Sequence, residues 1–249
     1  MRAFALLVAV ALTACAKDEW ARLGDPASAR LDRNAYGAPR AGSGRRPTVR
    51  IGGASADEAD PAVRAGGPFR NTYYDFPTDP GGDGVTVFDG ACRPVAAVSR
   101  GFFEALCVQG SGRLSTGDTV SYARRDCACA QACARTGQHL CFERLDPQRF
   151  PWGRGALGRA ITPLYSIAVD ASVIPLGARV FIPEAAGLPR PDGSLHDGCF
   201  AAEDRGSAVV GQHVDLFTGD PSVTAVWNRL LPSNAGVHVV VGDPRCARQ

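Results

Sequence analysis

Three aspartates in the last third of the chain stand where strand-like apolar runs end or are interrupted. Asp170 closes Ser166-Ile-Ala-Val, Asp204 closes Cys199-Phe-Ala-Ala-Glu, and Asp215 splits His213-Val from Leu216-Phe. Carboxylates are rarely buried unless they are paired or used. Three of them beside such runs within about fifty residues predict a cleft lined with acid groups. A polar cleft of that kind suits cleavage of a glycan, in which a carboxyl protonates the departing oxygen. The residue sets of other chemistries are missing. The chain has no Gly-x-Ser-x-Gly elbow, no Walker loop and no His-Glu-x-x-His zinc motif. Asp204-Arg-Gly is a single turn where an aspartic protease needs two of the Asp-Thr/Ser-Gly kind.

The three carboxyls are not equally telling. Asp204 precedes Arg-Gly and Asp170 precedes Ala-Ser-Val-Ile-Pro-Leu-Gly, so either can simply close a turn. Asp215 interrupts an otherwise apolar strand, which turn chemistry does not explain. His213 is expected to face away from Asp215 on that strand, as a packing or surface residue, and Glu203 to alternate away from Asp204. Tyr73 or Tyr74 can stack on a sugar ring, with Tyr73 taken as the substrate-binding choice.

The elements that must carry these residues are short. An opening strand is expected over residues 69–74 and a second over 85–88. Residues 95–106 have apolar positions at roughly helical spacing behind Pro94, which predicts a helix. A strand, turn and strand follow over 108–122, and the cysteine cluster then forms a stapled loop to about residue 144. Five strand-like runs come next, at 164–169, 179–182, 199–203, 213–217 and 237–241. Between the last two, Pro221 with Asp220 as cap begins a helix reaching about residue 231. Many short strands and few helices predict a mainly β protein built on a small barrel.

The chain of 249 residues is 45% hydrophobic with a formal net charge of +2, as expected for a soluble globular body. Its arginines form no basic stripe interleaved with aromatics, so no nucleic-acid partner is expected. Residues 1–15 read as a lipoprotein-type signal: Met1-Arg2, an apolar run too short to span a bilayer, then Leu12-Thr13-Ala14-Cys15. Cleavage before Cys15 and a lipid on its sulfur would follow, tying the protein to the membrane. Ala16 after that cysteine favours an outer membrane lipoprotein facing the periplasm. Residues 16–67, rich in Ala, Arg, Gly, Pro and Asp, read as a flexible linker or tether.

Eight further cysteines, Cys92, Cys107, Cys127, Cys129, Cys133, Cys141, Cys199 and Cys246, are an even number in an exported chain and favour disulfides. Sequence alone leaves their pairing open. The cluster Cys127-x-Cys129-x-x-x-Cys133 near His139 is the alternative zinc or iron–sulfur site, but it lacks paired Cys-x-x-Cys knuckles. No metal and no cofactor are expected.

Two stretches together resemble the 3D domain, named for its three aspartates. They are Ser166-Ile-Ala-Val-Asp170-Ala-Ser-Val-Ile-Pro175-Leu-Gly177 and Asp204-Arg-Gly206-Ser-Ala-Val-Val-Gly211-Gln-His213-Val-Asp215-Leu-Phe-Thr-Gly219. The domain is shared by membrane-bound lytic transglycosylase A and by smaller cell-wall proteins of Gram-positive bacteria. The resemblance implies a six-stranded double-psi β-barrel over residues 151–249. A disulfide-rich β region over 68–150 would precede it and contribute to the barrel or groove. It also implies cleavage of the β-1,4 bond between N-acetylmuramic acid and N-acetylglucosamine in peptidoglycan glycan strands, giving a 1,6-anhydro end. Asp215 would be the single acid/base, Asp204 its supporting catalytic neighbour, and Asp170, Gly206 and Gly211 substrate-binding positions. Ser207 stands where the family usually has glycine, and an insert over 184–197 is expected to form a loop beside the groove. The competing reading is an expansin-like, non-catalytic lipoprotein that binds wall polysaccharide. Either would act as a monomer.

Overall fold

The computed structural model describes residues 68–247, which lie in a unit running from Pro61 to Gln249. The signal, lipobox, Cys15 and the whole tether over 16–67 fall outside the described residues. The fold is mainly β, with eleven strands and two α-helices among the described residues. None of the described helices is long and apolar enough to cross a membrane.

Six strands make the sheet that carries the aspartates: β1 (Arg70–Asp75), β7 (Ser166–Val169), β8 (Arg179–Phe181), β9 (Cys199–Asp204), β10 (His213–Gly219) and β11 (Val240–Val241). Their spatial order is β1-β10-β7-β9-β8-β11, with β1/β10 and β7/β9 parallel and the other neighbours antiparallel. The pairings run as an open order rather than a closed barrel, although a bridge from Phe69 to Val237 links the ends of the order. Strands β7 and β9 are buried on both faces along most of their length, which explains their continuous apolar runs. Strand β1 comes from the region before residue 150 and joins this sheet, not the cysteine-rich one.

The remaining strands form two smaller sheets. Strands β2 (Val85–Phe88) and β3 (Pro94–Val98) make a hairpin; β4 (Ser111–Arg113), β5 (Thr119–Arg124) and β6 (Cys141–Leu145) make a three-stranded sheet. Helix α1 (Arg100–Gln109) lies against both, burying Phe102, Phe103 and Leu106 into a core with Val85, Val87, Leu114, Val120 and Phe142. The helix expected over 95–106 is therefore corrected: its first part is strand β3. Ser99 sets the boundary, because its hydroxyl accepts from the Phe102 amide as an N-cap. The β2 backbone takes the Pro94–Val98 segment as its partner.

Helix α2 (Pro221–Leu230) starts as its sequence predicts, with Pro221 in the first turn and the Asp220 carboxylate accepting from the Ser222 amide. It buries Val223, Val226 and Trp227. All eight cysteines of the body are paired, as Cys92–Cys129, Cys107–Cys133, Cys127–Cys141 and Cys199–Cys246. The cysteines of the cluster are thus paired as disulfides.

Candidate active site

The register of the large sheet brings Asp204 and Asp215 together. Ala168 on β7 is the pairing partner of Asp215 on one side and of Asp204 on the other, across a bulge. At the usual spacing between strands, the two aspartate backbones stand about 10 Å apart with only an alanine methyl between them. Thr72 on β1 pairs with Asp215, so a row runs Thr72, Asp215, Ala168, Asp204 across four strands. Tyr74, two residues beyond Thr72 and on the same face, donates its hydroxyl to Asp204 Oδ2 at 3.1 Å. Below the row lie Tyr74, Phe76, Ala168, Val209, Phe217 and Trp152, with the Tyr74 and Phe217 rings 4.8 Å apart.

This row opens into a cavity of about 840 Å3. Asp204, Asp215, Asp170, Tyr74 and Gly206 line its sheet side. The opposite wall is the cysteine-rich region: the end of α1 at Val108–Gly110, Ser111, Tyr122, Arg125, Gln138 and Leu140. Gly155 and Ala156 also line the cavity. A methyl at Gly155 would stand 2.5 Å from the Glu203 carbonyl, so only glycine lets this loop press against β9.

Enclosure has a marked electrostatic effect. Burial pushes the Asp215 carboxyl up to about 6, with the Asp204 charge adding to it and the Thr72 hydroxyl and Arg70 opposing it. Burial likewise pushes Asp204 up to about 6, against hydrogen bonds from the Arg205 amide, Tyr74 and the Ala156 amide. The ionised form of one carboxyl makes ionisation of the other less favourable, so one can be held as an acid while the other is an anion. Burial, with the charges of Asp204, Asp215 and Glu203, raises the Tyr74 phenol well above its ordinary value, so it stays a donor.

The other expected positions separate. Asp170 lines the cavity, but its oxygens are occupied: Oδ2 accepts from the Gly211 amide at 2.7 Å, and Oδ1 from the amide and hydroxyl of Ser172. The Ser172 hydroxyl and those amides hold its carboxyl down at about 2, an anion fastening two loops. Gly211 is correspondingly spent on that bond and does not line the cavity, whereas Gly206 does. Tyr73 is corrected: its hydroxyl donates to the Leu231 carbonyl at 2.6 Å on the other face of β1, and Tyr74 faces the cavity instead. The insert over 184–197 is also absent from the cavity lining; it packs on α2, where Trp227 Nε1 donates to the Pro189 carbonyl.

His213 is corrected as well. Residues 213 and 215 differ by two on one strand and therefore share a face. The His213 ring is buried and lies 2.8 Å from the Thr72 hydroxyl, which also contacts Asp215 Oδ1 at 2.6 Å. Thr72 escaped the sequence reading because it sits about 140 residues from Asp215; strand alternation in His-Val-Asp was the signal available for His213. Glu203 does turn away from Asp204, accepting from the Ser166 hydroxyl.

Two carboxyls on neighbouring strands of one sheet, in a groove closed by a second wall, supply the acid groups that cleavage of a glycosidic bond requires. Residues 165–227, the stretch that holds both aspartate signatures, match the family model of the 3D domain. The fold is similar to that of MltA from E. coli, in a crystal structure with bound chitohexaose. The TM-score is 0.51 at 17% identity, over 70% of this chain and 72% of that one. A membrane-bound lytic murein transglycosylase from Agrobacterium tumefaciens aligns at 14% identity over 74% of each chain, with a TM-score of 0.48. The lytic transglycosylase LtgG of Burkholderia pseudomallei aligns at 22% identity over 69% of this chain and 70% of that one, with a TM-score of 0.37. No curated protein sequence matches.

Proposed function

We propose that the protein is a lytic transglycosylase that cleaves peptidoglycan between N-acetylmuramic acid and N-acetylglucosamine. The observation that carries this reading is the Asp215–Asp204 pair, two carboxyls that burial raises to about 6, lining a groove of about 840 Å3. The 3D domain match and the likeness to a fold crystallised with a chitohexaose support it.

In this reading Asp215 is the single acid/base. Protonated, it gives its proton to the glycosidic oxygen as the C1–O4 bond breaks. The muramyl 6-hydroxyl then attacks C1, and its proton passes back to Asp215. The bond broken is replaced by one formed within the same sugar, so no water is consumed. Asp204, held by Tyr74 and the Arg205 amide, stays anionic and stabilises the oxocarbenium-like charge. Asp170 shapes the groove through Gly211, and Gly206 gives backbone access to the sugar.

The sheet reads best as an opened six-stranded double-psi barrel, supported by the two parallel pairs and the Phe69–Val237 bridge. The lipobox supports a lipid on Cys15 and attachment to the outer membrane facing the periplasm, where one monomer reaches the wall on its tether. Metabolic labelling with a fatty acid, lost in Cys15→Ala, tests the anchor. Digestion of purified sacculi with mass spectrometry tests the reaction. Anhydro-muropeptides from wild type and none from Asp215→Asn are expected; binding without released fragments would favour an expansin-like module instead.

A further inference from the structure

His213 occupies a buried place for which the cleavage steps above have no use. Both ring nitrogens are engaged: Nδ1 is 3.2 Å from the Ala208 carbonyl oxygen and Nε2 is 2.8 Å from Thr72 Oγ1. The same hydroxyl lies 2.6 Å from Asp215 Oδ1, donating to it when the carboxylate is ionised. A carbonyl oxygen can only accept, so Nδ1 carries a hydrogen.

The remaining protons are then determined. A threonine hydroxyl has one hydrogen, which it gives to one neighbour while accepting from the other. When it donates to the Asp215 carboxylate, Nε2 must donate to the hydroxyl, and His213 is an imidazolium. When Asp215 is protonated and donates to the hydroxyl, the hydroxyl donates to Nε2, and His213 is neutral. Both arrangements contain the same number of protons on one framework of heavy atoms.

We propose that Asp215, Thr72 and His213 form a proton relay, in which one proton is shared between carboxyl and imidazole through the Thr72 hydroxyl. Its interconversion is balanced. The O–H bond of Asp215 breaks as Thr72 Oγ1 takes that proton, and the original Thr72 hydrogen passes to Nε2. Thr72 and His213 act through Asp215 and are positioning residues. The role in turnover rests on Asp215 being the acid proposed above.

The surroundings favour the uncharged arrangement. Burial pushes the His213 imidazole down, and Arg70 on β1 opposes its positive form. Burial and Asp204 on β9 push Asp215 up, with Arg70 acting the other way on this carboxyl. Glu203 on β9 is turned to Ser166, and Tyr74 on β1 remains a neutral donor. Once Asp215 has given its proton to a glycosidic oxygen, its carboxylate and the Nε2 lone pair compete for one hydroxyl hydrogen. One hydrogen bond is lost until the sugar hydroxyl returns a proton. The relay therefore keeps the acid form ready and strengthens the base that recovers it.

Nitrogen NMR of the full chain labelled at its four histidines reads this without substrate, with His213 assigned through His213→Gln. The relay requires the Nδ1–H tautomer near neutral pH. Asp215→Asn and Thr72→Val should each lower the His213 midpoint by about 0.5 pH units or more, with Thr72→Ser recovering it. An Nε2–H tautomer, or a midpoint unmoved by both variants, would overturn the relay whether or not the chain cuts glycan. Should Thr72→Val fail to fold, Asp215→Asn carries the same comparison. If anhydro products form, Thr72→Val should lower kcat about tenfold at unchanged KM and shift the pH–rate profile, with Thr72→Ser restoring both. An unaltered profile in Thr72→Val removes the relay from turnover.

Discussion

The two walls of the groove are built by opposite means. The sheet side places its carboxyls by strand register, with Thr72, Asp215, Ala168 and Asp204 aligned across four neighbouring strands. One disulfide, Cys199–Cys246, ties its β9 to the C-terminal turn. The facing wall has short strands and one helix, and three disulfides, spanning 37, 26 and 14 residues, fasten it. Chemistry needs atoms fixed to a fraction of an ångström, which interleaved strands provide. A wall need only stay shut, and covalent ties achieve that on a small core.

This contrast can be broken at either side, and the largest effect should come from the sheet. Asp215→Asn should reduce release of anhydro-muropeptides by about 10²–10⁴-fold, with binding to sacculi retained. Loss of binding together with activity would mean that the aspartate holds substrate rather than reacting. Next, Cys107→Ala with Cys133→Ala should cost about 2–4 kcal/mol in denaturant unfolding. Limited proteolysis of that variant should cut first within residues 76–150; a first cut in β7–β10 would reverse the assignment of which half the disulfides hold.

The acid pair gives the sheet side its own pH signature. Both carboxyls are raised from 3.8 to about 6 in the folded protein, so their contribution to stability is intact below about pH 4 and is lost as pH rises through 6. Asp204→Asn should therefore stabilise the protein at pH 7 by on the order of 2 kcal/mol and flatten its stability between pH 4 and 7. Thermal melts across that range check the sign; a variant that is less stable at pH 7 would show that the pair is not strained. The smallest change should follow Tyr74→Phe, which removes one hydroxyl bond to Asp204 at a cost of about 1 kcal/mol. Its pH–activity profile should move slightly to higher pH, because the lost donor had favoured the Asp204 anion.

The site was legible where chemistry and strand ends coincide. Asp204 and Asp215 stand out because each breaks an apolar run, and the signatures around them lie in the stretch that the 3D domain matches. Helix α2 was legible from Asp220-Pro221, since capping is a local matter. What depends on partners was not. Alternation along β1 leaves Tyr73 and Tyr74 equivalent until β10 and α2 decide which face is the groove. Residues 94–98 carry apolar side chains compatible with a helix, and only pairing with β2 makes them a strand. Asp170 presents an acid by type, yet the Gly211 amide reserves it for fastening a loop.

The pairing of β1 with β10 has a further meaning for how the protein comes into being. Thr72 meets Asp215, which lies 143 positions further along the chain. Closing so long a loop is slow compared with forming the local hairpin β2–β3. A chain emerging from its N-terminus holds Thr72 early and must wait for the last third before Asp215 exists to join it. The Thr72–Asp215 contact is consequently absent until the last third of the chain has been made, and the pairing of β1 with β10 is what assembles it.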